Sequence, residues 1–498
     1  MPQPFRLLIA IAALSLLSSC QSESATGDAS GQRYGNLRFQ PCTLTNPYSS
    51  GNVQGRCAQL EVAENPDAPE GRRIALNIAW LPATEEGAEA ADPVFFLAGG
   101  PGQAAVGSWP LLDPIFADVR KRRHIILVDQ RGTGKSGPLN CALSQDEDDA
   151  ARLRDADAAR AAEEARRCAR SLDADPRFYA TTDAVRDLEQ VRAALGADSI
   201  DLVGVSYGTR VAQQYARRHG SHVRAMVLDG VVPNTLMLGS EDARNLDEAL
   251  ASQFQRCQAQ AACRARFGHD LRGQLRDLIQ RLRRRPLDTD YRDPFSGELR
   301  HGQLTAAHVT TLTRMFAYAP EAASLLPLLL SEADRGRHGP LMSLSMLVEK
   351  KTLEQMSMGM QLSVVCAEDA GLPPPADRDT LLGADMGRLL RAQCDAWPAG
   401  AAPADFHEPL VSDVPALLLS GELDPTTPPR YGDEVAKHLS RGRHLLLKGQ
   451  GHNTIGAGCM PKLLDRFLET ADAQSLDAGC LDALDYVPPF TSFNGWEP

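Results

Sequence analysis

Seven short apolar runs recur along the chain, and their length and spacing constrain its fold more than any other feature. Several are apolar throughout, which is typical of parallel strands buried on both faces of a sheet. Helical patterns lie between many of them, such as residues 181–196, where Gly196 ends the pattern. Strands that alternate with helices predict an α/β fold with a mostly parallel central sheet and helices on both faces. The seven runs are RIALNIAWLP, PVFFLAGG, HIILVDQRG, SIDLVGVSYG, VRAMVLDGVV, VPALLLSGELD and RHLLLKGQGH.

The alternation stops in the interval 233–405. This interval contains helical stretches such as SEDARNLDEALASQFQRCQ and AAHVTTLTRMFAYAP, and it has no comparable buried-strand pattern. A long helical insertion between two core strands is expected to lie over the carboxyl edge of the sheet as a cap. We therefore predict a first core part at 35–232, a mainly helical cap at 233–405 and a second core part at 406–498.

The N-terminus has the layout of an export signal. A basic residue precedes the run Leu7–Leu17, which is apolar except for one serine, and small residues lead to Cys20. The stretch LSSC resembles the lipobox of bacterial lipoproteins, in which the cysteine is lipidated and becomes the mature N-terminus. The alternative is a plain cleaved signal with an incidental cysteine. We expect a signal peptide at 1–19 and a flexible tether at 20–34.

We predict that the protein is located at the cell envelope, where the lipid on Cys20 anchors it to the membrane. Gln21 follows the cysteine, where an aspartate would resemble the inner-membrane retention signal of enteric bacteria. In a Gram-negative source we expect the periplasmic face of the outer membrane.

Composition and charge exclude other classes. The 498 residues are 43% hydrophobic, which is enough for a large core. The formal net charge is -12 and the isoelectric point about 5.5, so we expect no nucleic-acid partner. The one strongly basic run, at 276–288, has leucines at helical spacing and is interpreted as a solvated helix face.

Cysteine usage independently indicates an oxidising compartment. Of 11 cysteines, ten remain without Cys20, and they fall into near neighbours along the chain. Metal binding is the weaker alternative, since no CxxC pair with a matching downstream pair and no HxxxH is found. We expect no metal or other cofactor, and disulfides between Cys42 and Cys57, Cys141 and Cys168, Cys257 and Cys263, Cys366 and Cys394, and Cys459 and Cys480.

The pentapeptide GVSYG places Ser206 between Gly204 and Gly208. The alternative interpretation is a non-catalytic serine in a glycine-rich loop, because the pattern GxSxG alone often occurs by chance. Here a predicted strand precedes the serine and a predicted helix follows it, which is the setting of a nucleophile elbow. Ser206 is therefore the predicted nucleophile.

A serine nucleophile needs a base and a group that orients the base. Asp424 and His452 each follow a predicted buried strand, in the order Ser, Asp, His. Either residue alone could be an ordinary turn or loop residue, but together they predict a triad with Ser206. Glu422 is the alternative acid, and Asp229 a weaker one.

Acyl transfer also needs donors for the oxyanion. The backbone N–H of Tyr207, directly after the nucleophile, is one candidate. The loop FFLAGGPGQ supplies exposed glycine backbone at 99–102 for the other. A phosphate-binding loop is excluded for DQRGTGKSG, because Asp129 stands where its first glycine would be needed.

Five motifs together resemble one protein family. GGPG, DQRGTGKSG, GVSYG, SGELDPTTP and GQGHN look like the proline iminopeptidase and tripeptidyl aminopeptidase branch of the α/β-hydrolases, serine peptidase family S33, over about 35–490. The resemblance implies an α/β-hydrolase fold with a helical cap and an exopeptidase acting on peptides with a free N-terminus. It implies a triad of Ser206, Asp424 and His452 and an oxyanion hole from Gly100 and Tyr207.

The chain departs from the proline-specific members at one motif. Ala98 precedes the glycines where those enzymes usually carry histidine, and the cysteines and C-terminal segment look more like the secreted tripeptidyl-type enzymes. We therefore expect release of short peptides or single residues through an acyl-enzyme, without implied proline specificity.

Recognition of a free amine calls for carboxylates, because an ammonium ion that loses water needs a compensating charge. The segment SVVCAEDAG offers Glu368 and Asp369, and it resembles the family segment that faces the substrate amine. The alternative is an acidic pair on the surface at a helix end. Two other functions stay open: an esterase or lipase with the same triad, and a non-catalytic envelope protein, which the complete triad disfavours.

Overall fold

The computed structural model describes residues 31–46, 51–85, 87, 92–141, 157–371, 380–382 and 385–495; the predicted signal peptide and Cys20 lie outside them. Within these residues ten strands form one sheet and two form a separate hairpin. The strands are β1 Gln32–Tyr34, β2 Leu37–Thr45, β3 Asn52–Ala63, β4 Arg73–Leu81, β5 Val94–Leu97, β6 Ile125–Val128, β7 Ile200–Val205, β8 Val223–Asp229, β9 Leu287–Arg292, β10 Leu299–Leu304, β11 Ala416–Gly421 and β12 Gly442–Leu447.

Helices alternate with the later strands of the large sheet and fill the interval between β8 and β11. The described helices are α1 Ala105–Leu112, α2 Val119–Arg122, α3 Ala158–Ser171, α4 Thr181–Leu195, α5 Tyr207–His219, α6 Asp242–Ala259, α7 Ala261–Phe267, α8 Leu271–Arg284, α9 Ala306–Ala317, α10 Pro320–Ala323, α11 Leu326–Asp334, α12 Gly339–Gln355, α13 Met358–Glu368, α14 Asp385–Cys394, α15 Pro429–Ala436 and α16 Met460–Thr470. Short 3-10 turns span Pro176–Phe178, Gly220–His222 and Gly479–Ala483.

The large sheet runs in the order β1-β2-β3-β4-β6-β5-β7-β8-β11-β12. From β6 to β12 neighbouring strands are parallel, and from β1 to β6 they are antiparallel. All seven strands predicted from the apolar runs are present, as β4 to β8, β11 and β12. The predicted α/β-hydrolase fold, with a mostly parallel central sheet, is confirmed.

Successive residues of one strand bury into two different cores, which explains the continuous apolar runs. In β7, Leu202 packs with residues of α4 and α5 on one face, and Val203 packs with α1 and α16 on the other. Each fully buried side chain of this kind contributes about 1.5–3 kcal/mol. Helices therefore cover both faces of the sheet, as predicted.

The antiparallel strands β1 to β3 were not predicted from the sequence. Many of their buried positions alternate with exposed ones, and the exposed ones are mostly uncharged polar residues such as Gln40, Thr43 and Gln54. Cys42 and Cys57 join β2 to β3. In the strand order, β1 to β3 lie at the opposite end of the sheet from β11 and β12, the strands that precede Asp424 and His452.

The interval between β8 and β11 is mainly helical, with its own apolar cluster formed chiefly by α6, α8, α9 and α11. It also contains the mostly exposed hairpin β9–β10, which the sequence did not predict. The basic run lies in α8, where Leu275, Leu278 and Ile279 are buried and face this cluster. One helix of the interval differs from the others: α13 places Met360 and Val364 in the core of the large sheet.

The five predicted disulfides are all present. Cys366 and Cys394 join α13 to α14, and Cys141 is bonded to Cys168 of α3. In the part of the chain that the structure describes, no helix has both the length and the apolar character needed to cross a bilayer.

Candidate active site

Ser206 lies on a strained turn between β7 and α5. Its φ is 56° and its ψ is -124°, a conformation that a non-glycine residue rarely adopts. Backbone and hydroxyl of Thr209 both donate to Ser206 O, at 2.9 and 2.7 Å. A Cβ on Gly204 would collide with Gly208 O, and one on Gly208 with Leu97 O, so the two glycines of the motif are required by the tightness of the turn.

Asp424 and His452 form a buried pair beyond the ends of β11 and β12. Asp424 Oδ2 is 2.7 Å from His452 Nδ1, and it also accepts from Thr427 Oγ1 at 2.8 Å. The other carboxylate oxygen accepts from the backbone N–H groups of Thr426 and Thr427, each at 2.8 Å. Burial lowers the pKa of His452, but the charge and hydrogen bond of Asp424, with the charge of Asp229, outweigh it and leave the pKa raised.

Glu422 and Asp229, the two alternative acids, form hydrogen bonds with residues other than His452. Glu422 accepts from the hydroxyl of Tyr486 at 2.7 Å, from Arg256 at 3.0 Å and from the backbone of Gly449 at 3.0 Å. Of the three acids considered from the sequence, Asp424 is the one whose carboxylate lies within hydrogen-bonding distance of His452.

Asp229 has a different role, which the sequence did not indicate. Its carboxylate accepts from the backbone N–H of Thr454 at 2.8 Å and of Ile455 at 2.9 Å, and from the Thr454 hydroxyl at 2.8 Å. Its backbone oxygen accepts from Ser206 N at 2.8 Å. One residue at the end of β8 therefore holds the serine turn and the segment after His452.

The imidazole of His452 is positioned by residues from two regions of the chain. The backbone N–H of His452 donates to Tyr318 O at 2.8 Å, and the two rings meet edge to face at 5.2 Å. A Cβ on Gly230 would lie 3.0 Å from His452 Cε1. Within the described residues no hydrogen bond joins Ser206 Oγ to His452, a bond that often tightens only when substrate binds.

The glycine loop after β5 lies against the serine turn. A Cβ on Gly99 would be 3.1 Å from Ser206 Cβ, so a larger residue at this position would crowd the serine turn. Gly100 has φ +111°. Tyr207 is the first residue of α5, where N–H groups are free of helical partners, and its hydroxyl is fixed by Thr181 at 2.6 Å and Gln130 at 3.1 Å.

Glu368 and Asp369, at the end of α13, are buried and not on the surface. Arg210 of α5, also fully buried, donates to Asp369 Oδ2 at 3.0 Å and lies 3.9 Å from Glu368 Oε2. Asp369 Oδ1 is 3.7 Å from His407 Nε2. Arg210 was not identified from the sequence, where it was one more arginine on a predicted helix.

Glu368 is connected to the oxyanion side of the site. Its Oε1 accepts from Thr181 N at 2.6 Å, and the Thr181 hydroxyl contacts Tyr207. Its Oε2 is buried without a hydrogen-bond partner among the described residues. Burial, opposed by Arg210 and reinforced by Asp369, raises the pKa of Glu368 to about 8.

This fold and site can be compared with known proteins. The chain belongs to the alpha/beta hydrolase fold family, whose model matches residues 92–456. It is similar to serine protease Hip1 of Mycobacterium tuberculosis, 25% identical over 477 residues, which cover 87% of this chain and 88% of that protein. It is 24% identical over 462 residues to tripeptidyl aminopeptidase of Streptomyces lividans, covering 85% and 83%.

Other similar proteins have different names. Carboxylesterase B of Mycobacterium tuberculosis is 28% identical over 421 residues, covering 77% of this chain and 78% of that protein. Among solved structures, proline iminopeptidase of Mycobacterium smegmatis is 16% identical, with a TM-score of 0.39, and covers 83% of this chain and 98% of that one. Family membership and the relatives found by sequence support a hydrolase.

The acid of the site can be tested with three matched substitutions. Asp424→Asn should lower kcat for a small activated ester by about 10⁴-fold, because the amide cannot hold His452 in the required tautomer. Glu422→Gln, a control of the same chemistry two residues away, should stay within a few-fold of wild type. Ser206→Ala should be inactive while its thermal unfolding is that of the wild type. A nearly active Asp424→Asn enzyme would show that another residue is the acid.

Proposed function

We propose that the protein is a serine exopeptidase that removes short peptides or single residues from the free N-terminus of peptides. The similarity to Hip1 and tripeptidyl aminopeptidase supports a peptidase. The observation that carries the choice of an amine-directed peptidase is the buried, unpartnered Oε2 of Glu368.

The proposed chemistry follows from the geometry of the site. Ser206 Oγ attacks the scissile carbonyl carbon while His452 Nε2 accepts the hydroxyl proton and Asp424 stabilises the resulting imidazolium. The N–H groups of Tyr207 and Gly100 donate to the oxyanion. His452 then returns the proton to the departing amine, and an acyl-enzyme remains on Ser206. Attack by water, with His452 again as base, releases the N-terminal fragment.

The amine subsite is proposed at Glu368, with Asp369 beside it. A buried carboxylate oxygen without a donor is costly, and an ammonium group supplies both the charge and the hydrogen bonds that it lacks. Asp369 Oδ1 is likewise buried without a hydrogen-bond donor among the described residues, but Asp369 has Arg210 at 3.0 Å and His407 at 3.7 Å, whereas Arg210 lies 3.9 Å from the free oxygen of Glu368. Glu368 is therefore the primary ligand in this proposal, and Asp369 balances the charge of Arg210.

The function is tested by substrates that differ in the amine alone. Aminoacyl, dipeptidyl and tripeptidyl chromogenic amides should be hydrolysed when their N-terminus is free and should lose turnover when it is acetylated. The series also measures how many residues are released per cleavage. Equal rates for free and acetylated peptides, together with faster turnover of simple esters, would overturn the proposal and indicate an esterase.

The amine subsite is tested by Glu368→Gln. We expect kcat/KM for free-amine peptides to fall by roughly two or more orders of magnitude, since loss of one partner of a buried ion pair costs about 3–5 kcal/mol. Hydrolysis of a small uncharged ester should be almost unchanged. Glu332→Gln is the matched control, because Glu332 is also a buried glutamate paired with arginines.

Two outcomes would contradict the assignment of Glu368. An equal loss with peptide and ester would mean that Glu368 supports the fold or the triad. No loss with either substrate would move the amine to another carboxylate, with Asp369 the next to test.

We propose that the enzyme works at the cell envelope, anchored by a lipid on Cys20. Its five disulfides support an oxidising compartment. Cys20→Ala should release the protein from membranes or block its maturation, measured by fractionation and by metabolic labelling with a fatty acid. The wild-type protein is the control for this variant. Recovery of wild type and variant in the same soluble fraction, without fatty-acid label, would refute the anchor.

A further inference from the structure

Two histidines and a glutamate converge at the C-terminal end of α5, the helix that begins after Ser206. Glu189 comes from α4, His219 is the last residue of α5, and His222 ends the following 3-10 turn. One ligand atom from each residue lies within 4.8 Å of the ligand atoms of the other two. No other group of this kind occurs among the described residues.

The distances suit a metal ion with nitrogen and oxygen ligands. Four-coordinate zinc, with bonds of about 2.0–2.1 Å, holds its ligand atoms roughly 3.3 Å apart. His222 Nδ1 is already 3.2 Å from Glu189 Oε1. The His219 and His222 rings are nearly parallel, at 4°, with centroids 6.3 Å apart. A small side-chain adjustment brings all three ligands to one ion and leaves a fourth position for water.

The surroundings hold the Glu189 carboxylate in place. Tyr215 donates to Glu189 Oε2 at 2.7 Å, and Arg192 donates to Oε1 at 2.6 Å and to Oε2 at 2.9 Å. Such contacts orient metal ligands in known sites. The C-terminal end of α5 also carries partial negative charge from the helix dipole. Arg192 already donates to both oxygens of the Glu189 carboxylate. A metal ion must therefore compete with Arg192 for a lone pair of that carboxylate.

We propose that Glu189, His219 and His222 bind a divalent transition-metal ion of the zinc type. Imidazole and carboxylate together suit zinc, nickel and copper better than calcium or magnesium. The ion would join α4 to the end of α5. Because α5 has 13 residues and is roughly 18 Å long, the site is remote from Ser206. We therefore expect it to affect stability and not the chemistry of hydrolysis.

The test is direct zinc binding by the full-length protein. After treatment with EDTA and removal of the chelator, equilibrium dialysis against ZnCl2 at pH 7.5 should give one saturable zinc ion per chain. His219→Gln and His222→Gln should each weaken binding by at least about tenfold, the scale of losses seen when metal sites lose a partner. Zinc should raise the Tm of the wild type and not that of the doubly substituted protein.

The matched control is His301→Gln. His301 also faces a carboxylate, Asp290, at 3.0 Å, but that pair is exposed and has no third ligand among the described residues. Its zinc affinity should equal that of the wild type, and all three variants should retain metal-free ester hydrolysis. The absence of saturable binding, or equal affinity in the wild type and in His219→Gln and His222→Gln, would overturn the proposal.

Discussion

The site depends on Asp229, the last residue of β8. Its backbone oxygen accepts the N–H of Ser206, and its carboxylate accepts two N–H groups just after His452. Ser206 and His452, the predicted nucleophile and base, lie 246 residues apart in the chain and are thus fixed to one buried anchor. Because β8 is hydrogen-bonded to β7 on one side and β11 on the other, this anchor is itself held by the sheet. Precise placement of reacting groups requires such rigid support.

A second constraint connects the hydrolase core to the segment that we propose selects the substrate. Arg210 belongs to α5, one turn after the nucleophile, and its partners Glu368 and Asp369 end α13. The helix α13 also buries Met360 and Val364 in the core of the sheet. The acidic pair is consequently held against the core that also carries Ser206. An exopeptidase needs this arrangement, because the distance from amine to scissile bond determines where the chain is cut.

The sequence predicted the parts whose signals are local. Strands buried on both faces have few polar positions, so the seven runs were recognisable, and the turn at Ser206 requires glycines that stand beside it in the chain. The strands β1 to β3 were missed because segments with many polar positions and few consecutive apolar residues resemble surface loops. The pairing of near-neighbour cysteines was predictable because short loops close readily. Asp229 was considered only as an alternative acid, and its anchoring role was not predicted; Arg210, Tyr318 and the cluster at His219 were not identified at all. Their roles arise from contacts between segments that are distant in sequence.

The helix α5 contributes to the active site, to the buried acidic pair and to the proposed metal site. The N-terminal end of α5 offers free N–H groups to a developing negative charge, and Arg210, one turn later, balances the buried carboxylates of α13. His219, at the opposite end, lies where the dipole favours a positive ion. The helix dipole decays within its terminal turns, so a metal ion at His219 can strengthen the packing of α4 against α5 while leaving the oxyanion donors electrostatically unchanged.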